Sequence, residues 1–212
     1  MSHGTDKNSS STAIVTNGMT TEQLVQAMPQ LVAELPERTG PTLGDMLRNW
    51  AEKWLKAWNS HDVDAVTAVV TDDIVYEDPS MFGQHIIGKP DFGAFLQMFW
   101  RAFPDAFFEI SGSPYLALLG TGVAVPYRVT GTFTGDLYGP SPLTLAPTGR
   151  RADITGVDLY EFRDGLLSHW ISVIDGLALA QQLGLAPPAR STMFRLAMRM
   201  QRLAAPAMRR MH

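Results

Sequence analysis

Three aspartates in this chain stand where a carboxyl group could move protons. Asp78 closes the stretch DDIVYEDPS (residues 72–80), where Ile74 and Tyr76 alternate with charged residues, so a strand of period two carries Asp78 on their face. Asp-Pro also favours a turn, which gives Asp78 a plain reading as a strand-ending residue. Asp158 lies in RRADITGVDLYEF, where Arg150, Ala152, Ile154, Gly156, Asp158, Tyr160 and Phe162 share one strand face. A charged, unpaired acid among such neighbours costs on the order of several kcal/mol, so Asp158 is expected to be hydrogen-bonded, paired or protonated. In the protonated form it can donate a hydrogen bond to a developing oxyanion. Asp153 falls on the opposite face beside Arg151, and without a bulge it cannot look into the same cavity as Asp158. A surface salt bridge between Arg151 and Asp153 is their plain reading. Two carboxyls in unlike environments divide into acid and base, with Asp78 the more accessible, ionised partner and Asp158 the neutral one.

Composition bounds the remaining chemistry. The 212 residues, 45% apolar and 18% charged, suit one domain with extensions. A net charge of −4 argues against general nucleic-acid binding. The absence of cysteine excludes disulfides, thiolate nucleophiles and cysteine-ligated zinc, and permits a cytoplasmic location. The first residues lack the apolar core of a secretory signal, and no window reaches the roughly 18 apolar residues of a transmembrane segment. There is no GxGxxG or P-loop and no metal-ligand spacing, so no cofactor and no metal are expected. The aromatic residues suit a hydrophobic small-molecule substrate. Trp54, Tyr76, Phe95 and Trp170, with Arg150 on the Asp158 face, are candidates to bind it, although helical spacing assigns most aromatics to a core.

The elements that position these residues follow from periodicity. Residues 1 to about 18 read as a disordered leader, and a short helix is predicted from Thr21 to about Leu35. Leu43, Met46, Leu47, Trp50, Trp54, Leu55 and Trp58 recur at spacings of three and four, which predicts an amphipathic helix. A second helix follows His61-Asp62 through VDAVTAVV, and a third runs from Lys89-Pro90-Asp91 to Ala102. Strands are expected at 106–111, 115–119, 123–133, 150–162 and 166–175, with Asp164-Gly165 marking a hairpin. Residues 135–149 form a long hairpin loop. Helices followed by a strand meander imply an α+β fold whose curved sheet, mixed or antiparallel, wraps the N-terminal helices and leaves a pocket. The chain divides into a leader with a short helix (1–42), a main domain (43–185) and a basic amphipathic helix (186–212). After Asp175 there are six arginines and no acid. Such a helix can rest on anionic lipid or pack on a subunit partner, and the second is favoured because the chain shows no further membrane signal.

WLKAWNSHDVDAV from Trp54, then DDIVYEDP, GK with FPD, GTFTG, PTGRR, VDLYEFRDG, HWISVID and QQLG, occur in an order that resembles the SnoaL-like polyketide cyclases of the nuclear transport factor 2-like superfamily. The resemblance spans about residues 45 to 185. It implies a cone-shaped α+β barrel, a hydrophobic pocket for a polyketide or steroid, and a homodimer formed through the open sheet face. Similarity to ketosteroid isomerase implies a base at Asp78 and an oxyanion acid at Asp158, with the tyrosine donor of that enzyme falling on Trp54. Similarity to the SnoaL-like cyclases implies an aspartate on the long strand, Asp158 or Asp153, acting in an intramolecular aldol closure. His85, in a loop near the mouth of such a fold, is a further substrate-binding candidate. Arg151-Ala152-Asp153 matches the Arg-x-Asp of limonene epoxide hydrolase, which makes an epoxide hydrolase the alternative enzyme. A non-catalytic binding protein for an apolar small molecule is the alternative of another class.

Overall fold

The long strand that carries Asp158 is the centre of the architecture. The computed structural model describes residues 19–38, 41–78, 84–138 and 144–208. In chain order the helices are α1 (Thr21–Arg38), α2 (Pro41–Asn59), α3 (Val63–Thr67), α4 (Lys89–Ala102), α5 (Gly176–Gln182) and α6 (Thr192–Met208). The strands are β1 (Val70–Asp78), β2 (Gln84–Ile87), β3 (Phe107–Ile110), β4 (Tyr115–Leu116), β5 (Val123–Thr132), β6 (Leu137–Tyr138), β7 (Thr144–Leu145), β8 (Arg151–Arg163) and β9 (Leu166–Ile174). The disordered leader expected over residues 1–18 lies outside the described residues.

The main sheet runs β2-β1-β9-β8-β5-β3, with β4 also paired to β5, and β6-β7 forms a separate ribbon. The meander β5-β8-β9 is antiparallel, whereas β1 joins β9 in parallel, so the sheet is mixed. Its end strands β2 and β3 do not meet, and the cone stays open instead of closing into a full barrel. Asp164 and Gly165, at φ 54° and 78°, make the turn between β8 and β9, as expected of a hairpin that needs two left-handed residues.

Helix α2 places Trp50, Trp54, Ala57 and Trp58 against the concave face, and each is buried. Their spacing of four, three and one follows the inner stripe of a helix of 3.6 residues per turn. Asp62 caps α3 by accepting from the Ala65 amide at 2.9 Å. His61 next to it is structural: its ring stacks on Trp100 at 5.2 Å and its Nε2 lies 2.9 Å from the Ala106 carbonyl. Helix α3 is shorter than VDAVTAVV suggested, because Val70 is taken into the sheet opposite Leu167. Helix α4 supplies Phe92, Leu96 and Trp100 to the core. No described helix is long and apolar enough to cross a membrane.

Candidate active site

Strand β8 alternates without a bulge against β5, so Ala152, Ile154, Asp158, Tyr160 and Phe162 all turn inward. Asp158 is 2% exposed and faces Val125 on β5 and Ser172 on β9. Its Oδ2 accepts a hydrogen bond from the Tyr160 hydroxyl at 2.7 Å. The Trp54 ring packs edge-on against the Tyr160 ring at 5.9 Å between centroids. Asp158 Oδ1 accepts no hydrogen bond from the described residues, although Trp170 and Ser172 stand beside the carboxyl and favour its charged form. Burial outweighs them and, together with the nearby Asp78 charge, pushes the carboxyl up to about 7. The Trp170 Nε1 and Trp58 Nε1 donors are likewise buried without a hydrogen-bond partner among the described residues.

Asp78, the last residue of β1, is 7% exposed, more enclosed than its place before a proline suggested. The Tyr76 hydroxyl donates to its Oδ2 at 3.3 Å. Burial, then the charges of Asp78 and Asp158, hold the Tyr76 phenol neutral far above its ordinary range. Asp78, Tyr76, Phe95, Phe99, Ile154 and Trp170 line a cavity of about 100 Å³. Asp158 opens instead on a cavity of about 260 Å³ between α2 and the sheet, whose walls include Leu47, Ala51, Trp54, Val125 and Tyr160.

The two acids therefore look into adjoining chambers and not into one. Trp58, Phe108, Tyr127 and Trp170 line both chambers. Trp58 stands 5.5 Å from Trp170 and 5.0 Å from Phe108, and Phe108 stands 5.4 Å from Tyr127, measured between ring centroids. These rings, brought together from α2, β3, β5 and β9, stand between the two chambers. The Tyr127 hydroxyl is 2.9 Å from the Ser172 hydroxyl, and burial followed by the Asp158 charge keeps this phenol protonated. Tyr127, Ser172 and Tyr160 were not singled out as site residues. The signal for them was present: Tyr160 lies two residues from Asp158, Ser172 two from Trp170 and Tyr127 four from Val123, each on the inward alternation of its strand.

The other candidates lie elsewhere. Asp153 is on the outer face, where the Arg128 guanidinium grips it with bonds of 2.6 and 2.5 Å and holds its carboxyl below the usual range. Its expected partner Arg151 instead approaches Asp105 at 3.7 Å. Arg151 and Asp153 are both exposed and line neither chamber. Arg150 is exposed and lies against Gly184. His85 is not in a loop: it belongs to β2, opposite Glu77 on β1, with its Nδ1 3.5 Å from that carboxylate. Glu77 also receives His169 Nε2 at 2.7 Å, so His85, Glu77 and His169 form a row across the outer face while Trp170 turns inward. Among the described residues no group of three or more acids or histidines is placed to hold a metal ion.

An open cone made of a curved mixed sheet and its helices is a ketosteroid isomerase-like fold. The chain belongs to the SnoaL-like polyketide cyclase family, whose sequence profile matches residues 48–183. It is similar in structure to AclR, a candidate hydroxylase of Streptomyces galilaeus, at 23% identity and a TM-score of 0.56, over 80% of this chain and 98% of that one. A candidate SnoaL-like polyketide cyclase of Jannaschia sp. CCS1 matches at 20% identity and a TM-score of 0.56, over 68% and 94%. A Catenulispora acidiphila protein with a ketosteroid isomerase-like fold, in complex with trimethylamine, matches at 17% identity and a TM-score of 0.51, over 68% and 96%. No curated protein matches the sequence.

Proposed function

We propose that this protein performs acid/base chemistry on a hydrophobic carbonyl compound, of polyketide or steroid type, through an enolate. The observation that carries the reading is Asp158: a buried carboxyl raised to about 7 that lines an apolar chamber, with one oxygen held by Tyr160 and the other accepting no hydrogen bond from the described residues. A neutral acid so placed can donate its proton in a hydrogen bond to a developing oxyanion. Asp78 takes the proton alpha to the carbonyl, and the C–H electron pair moves into the enolate. The carbanion then either attacks a second carbonyl of the same molecule, closing a ring by aldol addition, or is reprotonated at another carbon, moving the double bond. Asp78 afterwards returns its proton. The substrate lies across the aromatic partition, so that its reacting carbons reach Asp78 while its carbonyl oxygen reaches Asp158. Trp54 orients Tyr160 and through it the acid.

The test is exchange of alpha protons in D2O, followed by mass spectrometry over panels of steroid enones and polyketide-like diketones. Wild type should exchange a member of the panel. Asp78→Asn should slow exchange by about 10²–10⁴-fold, the usual worth of a positioned base. Asp158→Asn keeps a hydrogen-bond donor and should cost less, whereas Asp158→Leu should cost as much as losing the base. Ligands that bind all variants alike without exchange would overturn this reading. They would favour a binding protein, which the small, aromatic-walled chamber at Asp78 also suits.

A further inference from the structure

Two buried polar groups take no part in the proposed reaction. The indole N–H groups of Trp58 and Trp170 meet no hydrogen-bond acceptor among the described residues, although each residue is only 3% exposed. A buried tryptophan ordinarily finds a partner for this donor, because stripping it of water without replacing the bond costs stability. Trp50 shows the ordinary case on the same inner stripe of α2: its Nε1 donates to the Val69 carbonyl at 3.0 Å. Trp58, further along α2, and Trp170, on β9, stand edge to face with ring centroids 5.5 Å apart. Both line both chambers, so two unmatched donors meet where the proposed substrate crosses from one to the other. Tyr127 lines both chambers as well, but its hydroxyl is engaged with Ser172 at 2.9 Å. Trp100 Nε1 also lacks an acceptor among the described residues, yet Trp100 lines neither chamber and its ring is closed in by Trp58 and His61.

We propose that Trp58 and Trp170 form a subsite for a second oxygen of the ligand, distinct from the carbonyl oxygen that reaches Asp158. The ligand class is a diketone or hydroxyketone, whose further oxygen lies a few carbons from the reacting carbonyl. An indole N–H donates and cannot accept, so the subsite takes a carbonyl or hydroxyl oxygen and offers nothing to an ammonium group. Apolar walls alone do not fix where along the chambers a flat molecule stops; a few placed polar groups do. Two donors at the crossing supply that register, holding the reacting carbons at Asp78 while the carbonyl lies at Asp158. A monoketone of the same skeleton leaves both donors unmatched and is bound less tightly. The inference rests on the carbonyl ligand of the proposed reaction, but it concerns binding and is read without turnover.

The probes are decalone and the decalindiones, which add a second ketone to the same two-ring skeleton. Full-length protein, isotope-labelled at its indole nitrogens, gives five N–H resonances by NMR, one for each tryptophan. Trp58→Phe, Trp100→Phe and Trp170→Phe assign the three that matter. The expected result is that a decalindione binds at least about tenfold more tightly than decalone. It should also move the Trp58 and Trp170 N–H protons downfield, the direction of hydrogen-bond formation, and leave that of Trp100 in place. Trp58→Phe combined with Trp170→Phe should lose the preference between diketone and monoketone, whereas Trp100→Phe should keep it. If the double variant fails to fold, the shifts in the wild-type protein decide. Equal affinity for decalone and the decalindiones, no binding of any decalindione, or binding that leaves both resonances in place would each overturn the proposal. So would magnetisation exchange with a bound water that persists at both N–H groups when the diketone binds, since water would then be their partner. Exchange of alpha protons without a preference for the second oxygen would overturn this subsite and leave the proposed reaction standing. The preference and the shifts without exchange would establish the subsite and overturn the reaction.

Discussion

Asp158 holds its proton to about pH 7 in the folded chain, against 3.8 for an ordinary aspartate. Between those values the folded state binds more protons than the unfolded one, so the stability linked to this group is full below about pH 4 and is lost as pH rises toward 7. A shift of this size corresponds to about 4 kcal/mol over the whole window. Asp158→Asn cannot ionise, and its stability relative to wild type should rise by about 2–3 kcal/mol between pH 5 and pH 8. Urea unfolding of both proteins at the two values checks this, and parallel behaviour would show that the carboxyl is ionised throughout. The same group fixes a kinetic sign. If Asp158 works as the neutral acid, kcat/KM falls as pH passes upward through about 7; a rise through that value would make Asp158 the base and exchange its role with that of Asp78.

Strand packing decides whether the second phenol reaches its place. Gly156 lies between Ile154 and Asp158 on the inner face, and a Cβ there would stand 2.8 Å from Tyr127 Cζ and Oη and 2.8 Å from Ile174 Cγ2. Gly156→Ala should therefore push the Tyr127 phenol off Ser172, cost about 1–3 kcal/mol through overpacking, and slow exchange. Tyr127→Phe removes the hydroxyl without the crowding. It should reproduce the loss of exchange without the loss of melting temperature, and failure to do so would remove Tyr127 from the site. Elements of this kind were readable where a local rule sufficed. Helix α4 begins and ends as Gly88-Lys89-Pro90 and Phe103-Pro104 dictate, and the inner face of β8 follows from unbroken alternation. The strand that carries His85 was not readable, because four residues have no period of their own and β2 exists only by pairing with Val75–Asp78. The division of the pocket was hidden for the same reason: it depends on where rings from four distant elements meet, which no single segment records.

At the scale of the molecule the fold encloses more space beside α2 than at the end of β1, about 260 Å³ against about 100 Å³. A packing defect and a binding chamber respond differently when such space is filled. Ala51 on α2 is half-buried and lines the larger chamber without touching Asp78. Ala51→Phe should bury apolar surface in that space and raise stability by about 1 kcal/mol in either case. If the space is empty packing, exchange is untouched. If it receives the bulk of the substrate, KM for a polycyclic ketone rises at least about tenfold, the worth of 1.4 kcal/mol of lost contact, while a small ketone that fits beside Asp78 is exchanged as before. A gain in melting temperature joined to this size-dependent loss would place the reacting molecule on both sides of the Tyr127–Trp170 partition. It would also account for the larger opening lying beside Asp158 and not beside Asp78.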